Sequence, residues 1–311
     1  TTSLRIKLLH IQQLTCICSV FLNSFGSVDY KPNITKNEIL KTDLSKYDVI
    51  FCCPNGQPFV LDSSTLINFK GVILSASTGL NHIDLSYCEK NNIKVLCHKD
   101  DHEGLLNHLP STSELAFGLM LSLLRNIPQS QSHVKSFNWK YEEFIGRQVK
   151  DLKIGIVGLG RLGKMMHRFC TAFEADVFVY DPYVEGTNCK DLKEMFSKCD
   201  VISLHVHASS STKYMIDESL LSLMKKGSYI VNTSRGEIVN EVHVVNALNE
   251  GRLFGYGADV VEHEFTDIKN SPIINAMNKG HNIIVTPHVG GSTWEGSKRA
   301  YMWSISKLKD L

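Results

Sequence analysis

The sequence predicts an α/β protein built on buried parallel sheets, and three observations carry that expectation. First, short apolar, β-branched runs recur along the chain. In the first third they are "YDVIFCC" (47–53), "GVILSAS" (71–77) and "IKVLCH" (93–98). From about residue 150 they are "LKIGIVG" (152–158), "ADVFVYD" (175–181), "DVISLHV" (200–206), "GSYIVNTS" (227–234), "FGYGADVV" (254–261) and "HNIIVTPH" (281–288). Nearly continuous apolar runs of this length suit strands covered on both faces. Second, the runs alternate with longer helical stretches, the pattern of βαβ units. Third, one run leads straight into a glycine-rich turn and a helix.

The 311 residues suggest two domains. The second α/β set starts after "GRQVKD" (146–151). A hydrophobic content of 43% and a charged content of 21% are ordinary for a globular protein with a substantial core. The net charge of +1 gives no pull toward nucleic acid or an anionic membrane surface. The longest apolar stretch, "LTCICSVFL" (14–22), is too short to span a bilayer and no clean cleavage site follows it. The chain begins without Met, which is read as a few missing or processed residues. The nine cysteines are scattered and form no pair of C-x-x-C units. They read as reduced, mostly buried thiols of a cytoplasmic protein, not as disulfides or a metal site. The segment "PSTSELAFGLMLSLLRNI" (110–127) predicts a helix, with Ser111 and Glu114 at capping-box spacing. It is apolar nearly all round, so burial between two domains is expected.

"KIGIVGLGRLGKMMHRF" (153–169) places G-x-G-x-x-G between a strand and a helix. A lone match is weak, but this context is what a dinucleotide site requires. Gly158 permits the tight turn, Gly160 lets backbone approach a pyrophosphate, and Gly163 lets helix and strand pack closely. The helix N-terminus offers N–H groups to the phosphates. An acidic residue should end the next strand and bind the ribose hydroxyls. "VFVYDPY" puts Asp181 there, followed by Pro182. Its carboxylate would repel a 2′-phosphate, so NAD is expected over NADP.

Hydride transfer beside a carboxylate needs a cation, an acid/base and a partner for the acid/base. Bidentate geometry favours Arg for the first. Histidine suits the second, and a carboxylate beside it orients the ring. All three belong at carboxyl ends of strands. "SYIVNTSRG" delivers Arg235, "GYGADVVEHEF" delivers Asp259 and Glu264, and "NIIVTPHVGGST" delivers His288 with Gly290 and Gly291 after it. Singly, each is also readable as a surface or loop residue.

Together these motifs resemble the D-isomer-specific 2-hydroxyacid dehydrogenase family, over nearly the whole chain. The family's motifs are matched by "GLGRLG", "VISLHV" with Thr212 beyond, "VNTSRGEIV", "ADVVEHE" and "TPHVGGST". Upstream, "STGLNHID" (77–84) looks like its substrate-carboxylate loop and "SELAFGLMLSLLR" (113–125) like its interdomain helix. The resemblance implies two Rossmann or flavodoxin-like domains, with an NAD-binding domain (108–289) inserted into a discontinuous substrate domain (1–107 and 290–311). A cleft between them would close over the substrate, and a homodimer is expected. By the same resemblance Arg235 binds the substrate carboxylate and carbonyl, His288 is the acid/base and Glu264 its partner. The backbone of Thr78 and Gly79 would hold the carboxylate. Gly158, Gly160, Arg161, Leu162, Gly163, Asp181, Pro182, Thr212, Thr233, Ser234, Asp259 and Gly290 would line NAD.

The chain departs from the family pattern at several places. His207 stands where Pro is usual and either contacts the cofactor or occupies a loop. Phe265 replaces the Pro after the glutamate. "TDIKNSPIINAMNKGHN" (266–282) reads as an insertion. The last turns before Leu311 are expected to be abbreviated, and no regulatory domain is expected after the core. The loop "PNGQPF" (54–59) would face the cleft, with Asn55, Gln57 and Phe59 as selectivity candidates or plain turn residues. No cation occurs from Val49 to Phe69, which disfavours a phosphorylated substrate. A small 2-oxo acid such as glyoxylate, hydroxypyruvate or pyruvate fits better. Phosphoglycerate and phosphite dehydrogenases of the same family are the alternatives, and an NAD-sensing corepressor is the alternative from another class. Formate dehydrogenases carry Gln in place of Glu264 and are set aside.

Overall fold

In the computed structural model, the described residues are 6–10, 26–31, 34–52, 59–98, 104 and 108–310. The chain divides into two compact units, Thr1–Leu109 with Ser292–Leu311, and Pro110–Gly291. Each unit carries one sheet, and every strand pair in it is parallel.

In the first unit the strands are β1 (Ile6–His10), β2 (Gly26–Tyr30), β3 (Val49–Cys52), β4 (Val72–Ser75) and β5 (Lys94–Leu96), ordered β2-β1-β3-β4-β5. This is the flavodoxin-like order, in which the chain winds first one way and then the other. Successive residues of β3 and β4 serve opposite faces, as the two-residue period of a strand demands. Ile50, Cys52 and Ile73 join Leu9, Ile39, Leu61 and Leu66 in one core. Val49, Phe51 and Leu74 pack against Tyr301, Ile305 and Leu308 on the other. Tyr301 and Ile305 belong to the Trp294–Ser306 helix and Leu308 to the turn after it, so the C-terminal segment completes the first unit.

In the second unit the strands are β6 (Lys153–Val157), β7 (Asp176–Tyr180), β8 (Val201–Leu204), β9 (Ser228–Asn232), β10 (Leu253–Ala258) and β11 (Ile283–Val285). Their order is β11-β10-β9-β8-β6-β7. The winding direction reverses between β6 and β8, and open α/β sheets bind ligands beyond the carboxyl ends of strands at such a point. Ile154, Ile156, Val201, Tyr229 and Val231 pack with the Ser111–Leu124 helix on one face. Val157, Ile202, Leu204, Ile230, Tyr256 and Ala258 face the opposite core.

Nine of these strands coincide with apolar runs read from the sequence. The runs missed β1 and β2. β2, "GSVDY", is an edge strand paired only with β1 and half-exposed, so it carries little apolar signal. The expected capping box at Ser111 is not formed. Ser111 is the first helical residue, and Pro110 is the cap, its carbonyl accepting from Ser113 N (2.8 Å) and Glu114 N (3.0 Å). The stretch that reads as an insertion, 266–282, contains the Pro272–Asn278 helix, which packs on the Glu241–Asn249 helix. It is the crossover from β10 to the parallel β11. The six described cysteines, Cys52, Cys88, Cys97, Cys170, Cys189 and Cys199, are buried, while Cys16, Cys18 and Cys53 lie outside the described residues. No described helix is long and apolar enough to cross a membrane, and the stretch 14–22 lies outside the described residues.

The end of β4 carries a buried polar chain. His82, 5% exposed, places Nε2 3.0 Å from Ser75 Oγ. Ser75 Oγ lies 2.8 Å from Ser77 Oγ, which donates to Gly79 O at 2.7 Å. Burial pulls His82 down from 6.5 to about 4, so the fold keeps it neutral. A depressed histidine stabilises fully above its unfolded value, and that stability is lost as pH falls toward the folded one. Urea unfolding of the first unit should therefore show stability declining from pH 6.5 toward 4, by up to about 3 kcal/mol over the whole window. His82→Gln is expected to flatten that slope; an unchanged slope would contradict the assignment.

Candidate active site

The backbone requires glycine at two positions of the glycine loop and leaves the third open. Gly158 has φ +93°, and a Cβ there would lie 2.5 Å from His205 O. A Cβ on Gly163 would lie 1.9 Å from Gly158 O, so only glycine lets the helix approach the strand. Gly160 caps the Arg161–Ala172 helix and has open space where its Cβ would be. Arg161 and Leu162 form the first turn, and Ser113 Oγ secures it by donating to Leu162 O (2.9 Å). Burial lowers the Arg161 guanidinium below its ordinary value. Asp181, at the end of β7, accepts from Leu159 N (2.7 Å) with one oxygen and from Tyr183 N (2.9 Å) with the other. It thus ties the glycine loop to the neighbouring strand. Pro182 beside it is exposed.

Two buried polar atoms at the strand ends lack partners among the described residues, Thr233 Oγ1 after β9 and His205 Nδ1 after β8. His205 Nε2 meets Ser203 Oγ at 2.8 Å, and burial lowers this histidine to about 4. An open glycine at a helix N-terminus, with orphaned polar atoms on adjacent strand ends, fits a dinucleotide. His207 is exposed in the following loop, where its carbonyl accepts from Thr212 Oγ1 (2.7 Å). Thr212 Oγ1 also accepts from Ser209 N at 2.8 Å, so its hydroxyl shapes the loop.

The strands to the other side of the switch point carry Arg235, Asp259, Glu264 and His288 at or beyond their carboxyl ends. After β9 the chain turns on Asn232, whose side chain accepts from Ser234 N (3.0 Å) and donates to Arg235 O (2.9 Å). Ser234 Oγ donates to Leu204 O (2.8 Å) and accepts from Val206 N (3.1 Å), joining this turn to the end of β8. Arg235 emerges half-buried, its Nη1 donating to Ser234 O at 2.7 Å. Gly236 follows because the loop after β10 leaves no room: a Cβ would lie 2.2 Å from the Val261 carbonyl carbon.

Past β10 the buried Asp259 accepts from Thr286 Oγ1 (2.5 Å), Val289 N (2.8 Å) and Gly290 N (2.7 Å). Burial raises its carboxyl above the ordinary value. A Cβ on Gly290 would lie 2.8 Å from Asp259 Oδ2, so this glycine serves the clamp, while Gly291 is open. Within that clamp His288 adopts φ +53°, an uncommon backbone for a residue with a side chain. Its Nδ1 lies 2.6 Å from Glu264 Oε1. Glu264 Oε2 accepts from Val261 N (3.4 Å), and the Phe265 ring stacks near His288, centroids 6.1 Å apart.

Thr78 and Gly79 lie half-exposed in the first unit, Gly79 braced by Ser77. Phe59 packs against that unit's core, and Asn55 and Gln57 lie outside the described residues. Sequence reasoning missed Asn232 and His205. An Asn at a strand end before two hydroxyl residues is an Asx-turn signal that identifies the first. The second sits at the end of a strand flanking the switch point.

Residues 117–290 match the NAD binding domain of the D-isomer specific 2-hydroxyacid dehydrogenases. The chain belongs to this family, and those residues are its NAD binding domain. It is 30% identical over 298 residues to a D-3-phosphoglycerate dehydrogenase of Methanocaldococcus jannaschii, covering 93% of this chain and 54% of that protein. It is also 30% identical over 284 residues to a hydroxypyruvate reductase of Thermotoga maritima, covering 87% and 90%. The chain thus spans about half the length of the phosphoglycerate dehydrogenase it matches. Among solved structures, an Aquifex aeolicus D-lactate dehydrogenase complexed with NAD and lactic acid superposes with TM-score 0.79 at 26% identity, over 97% of this chain and 94% of that one.

Asp181 generates a prediction that needs no turnover. Fluorescence titration should give NADH at least about tenfold tighter binding than NADPH, because a carboxylate at the ribose repels a 2′-phosphate. Asp181→Ala should narrow the ratio. Tighter NADPH binding by the unaltered protein would contradict the assignment.

Proposed function

We propose that the protein reduces a small 2-oxo acid to the D-2-hydroxy acid with NADH, or runs the reverse. The observation that carries this is the 2.6 Å contact of His288 Nδ1 with Glu264 Oε1, at the end of the strand next but one to Arg235. A carboxylate accepts only, so Nδ1 carries a proton and Nε2 is the atom that exchanges one with substrate. Bound NADH supplies the hydride. Arg235 holds the substrate carboxylate and polarises the carbonyl, His288 gives the carbonyl oxygen its proton, and Glu264 stabilises the charged imidazole. Thr78 and Gly79 are proposed to offer backbone N–H groups to the carboxylate. The glycine-loop residues Gly158, Gly160, Arg161, Leu162 and Gly163, with Asp181, Pro182, Thr233 and Ser234, are proposed to line the cofactor. Asp259 and Gly290 hold the His288 loop against it, and Thr212 and His207 shape its rim.

The absence of any cation from Val49 to Phe69 supports glyoxylate, hydroxypyruvate or pyruvate over a phosphorylated acid. Relatives named for phosphoglycerate and for hydroxypyruvate match at the same identity, so the preference for an unphosphorylated acid rests on this loop. The buried thiols of Cys88, Cys170, Cys189 and Cys199 support a cytoplasmic setting. The near-neutral net charge supports a small-molecule partner over nucleic acid or membrane.

A panel of 2-oxo acids with NADH oxidation as readout tests the reaction. Turnover is expected on the unphosphorylated members, and Arg235→Ala should lower kcat/KM about 10³-fold or more while NADH still binds. Silence across the panel, with NADH bound, would favour an NAD-sensing binding protein instead.

We also infer a homodimer. The segment after the Ile127–Lys135 helix exposes Phe137 fully and leaves Trp139 89% and Ile145 74% exposed. Trp139 and Ile145 themselves line a groove of about 750 Å³, together with Val134, Tyr141 and Phe144. Apolar surface of this kind marks an interface, and the same patch on a second copy would cover it. Light scattering should give twice the chain mass, and Trp139→Glu with Ile145→Glu should give the monomer. A monomeric unaltered protein would refute the inference.

A further inference from the structure

Glu241 lies outside the residues so far given a chemical role. It opens the Glu241–Asn249 helix, six residues after Arg235, and is 3% exposed. Its Oε1 accepts from Glu262 N at 2.7 Å and its Oε2 from Ser271 Oγ at 3.0 Å. Glu262 and Ser271 bound the loop that carries Glu264. One buried carboxylate therefore grips both ends of that loop, and it does so from the segment that carries Arg235. The two segments also touch directly, since Gly236 has no room for a Cβ beside Val261 and Glu262. Glu262 is held a second time by the hydroxyl of Tyr214, which donates to its Oε1.

Burial raises the Glu241 carboxyl above its ordinary value. The hydrogen bonds it accepts from Glu262 N and Ser271 Oγ work against that rise. The grip answers a geometric demand. Glu264 must reach His288 Nδ1 at 2.6 Å from a loop with no regular structure between His263 and Asp267.

We propose that Glu241 is a positioning residue for the Glu264–His288 pair, holding the Glu262–Ser271 loop in register with the Arg235 segment. Its kinetic consequence rests on the dehydrogenase reading; its geometric consequence does not. The test uses Glu241→Ala and the near-isosteric Glu241→Gln, each alone and combined with Glu264→Gln. The first readout is the downfield NMR resonance of the His288 Nδ1 proton, assigned by its loss in Glu264→Gln. It should shift or broaden away in Glu241→Ala in the folded protein, with Glu241→Gln intermediate. The second readout is kinetic. Glu241→Ala should lower kcat about tenfold, with NADH affinity within about twofold of the unaltered protein. In the Glu264→Gln background it should cost nothing further, because the residue it positions is already gone. An unchanged resonance in Glu241→Ala and Glu241→Gln would overturn the proposal, as would a full additional loss of kcat in the double variant. If Glu241→Ala does not fold, Glu241→Gln carries both readouts. If the unaltered protein turns over no 2-oxo acid, the reaction assignment fails while the resonance still decides the role of Glu241.

Discussion

The carboxylate of Asp259 accepts hydrogen bonds from Thr286 Oγ1, Val289 N and Gly290 N, and its own backbone carbonyl accepts from His288 N at 2.9 Å. Its amide in turn donates to Asn232 O at 3.0 Å. One residue thus joins the ends of three adjacent strands. The consequence is the left-handed backbone of His288, which costs of order 1 kcal/mol or more for a side-chain-bearing residue. A loop free to relax would leave that region and carry the imidazole away from Glu264. Gly290 completes the clamp, because no other residue leaves room for Asp259 Oδ2 behind it.

The cofactor side follows from the same sheet by a different device. At the switch point the ends of β6 and β8 diverge to opposite helices, and the space above them is bounded by backbone. Gly158 and Gly163 are dictated by carbonyl oxygens pressed against them, His205 O and Gly158 O. At Gly160 no protein atom stands within 4 Å of where a Cβ would lie, so the helix start is left open. Ser234 bridges the two halves, taking Val206 N–H and giving to Leu204 O. The Arg235 turn is therefore fixed to the strand end beside the glycine loop.

Much of this was legible in the sequence because buried parallel strands write themselves as apolar runs, and close backbone approaches write themselves as glycines. Gly158, Gly163, Asp181, Glu264 and His288 stand where spacing placed them. β2 was invisible because an edge strand buries little, and "GSVDY" has one aliphatic residue. The Ser111 cap was misread because the spacing S-x-x-E describes any first turn. Here the preceding proline already adopts a helical backbone, φ −80° and ψ −10°, and its carbonyl takes the N–H groups. The 266–282 stretch read as an insertion because β11 has only three residues. A parallel neighbour to β10 nonetheless requires a crossover, and the helix at Pro272–Asn278 supplies it. Glu241 acts through Glu262 and Ser271, 21 and 30 residues away along the chain, which no local pattern reveals.

The buried ionisable groups show where the second unit departs from maximum stability. Asp259 and Glu241 are both carboxylates raised by burial, and His205 is a histidine lowered by it. Each opposes or forgoes charge in a place where an apolar residue would pack at lower cost. All three belong to the loops and helix starts that follow the carboxyl ends of β8, β9 and β10. The strands themselves, from Val201 to Leu204 and from Ser228 to Asn232, are buried without exception. Strain held in loops beyond the strand ends leaves the buried sheet below it intact. The left-handed His263 and His288, on either side of the Glu264 contact, are strains of the same kind. They persist because the clamps at Asp259 and Glu241 are anchored in the rigid strand ends and leave the intervening loop no lower-energy path.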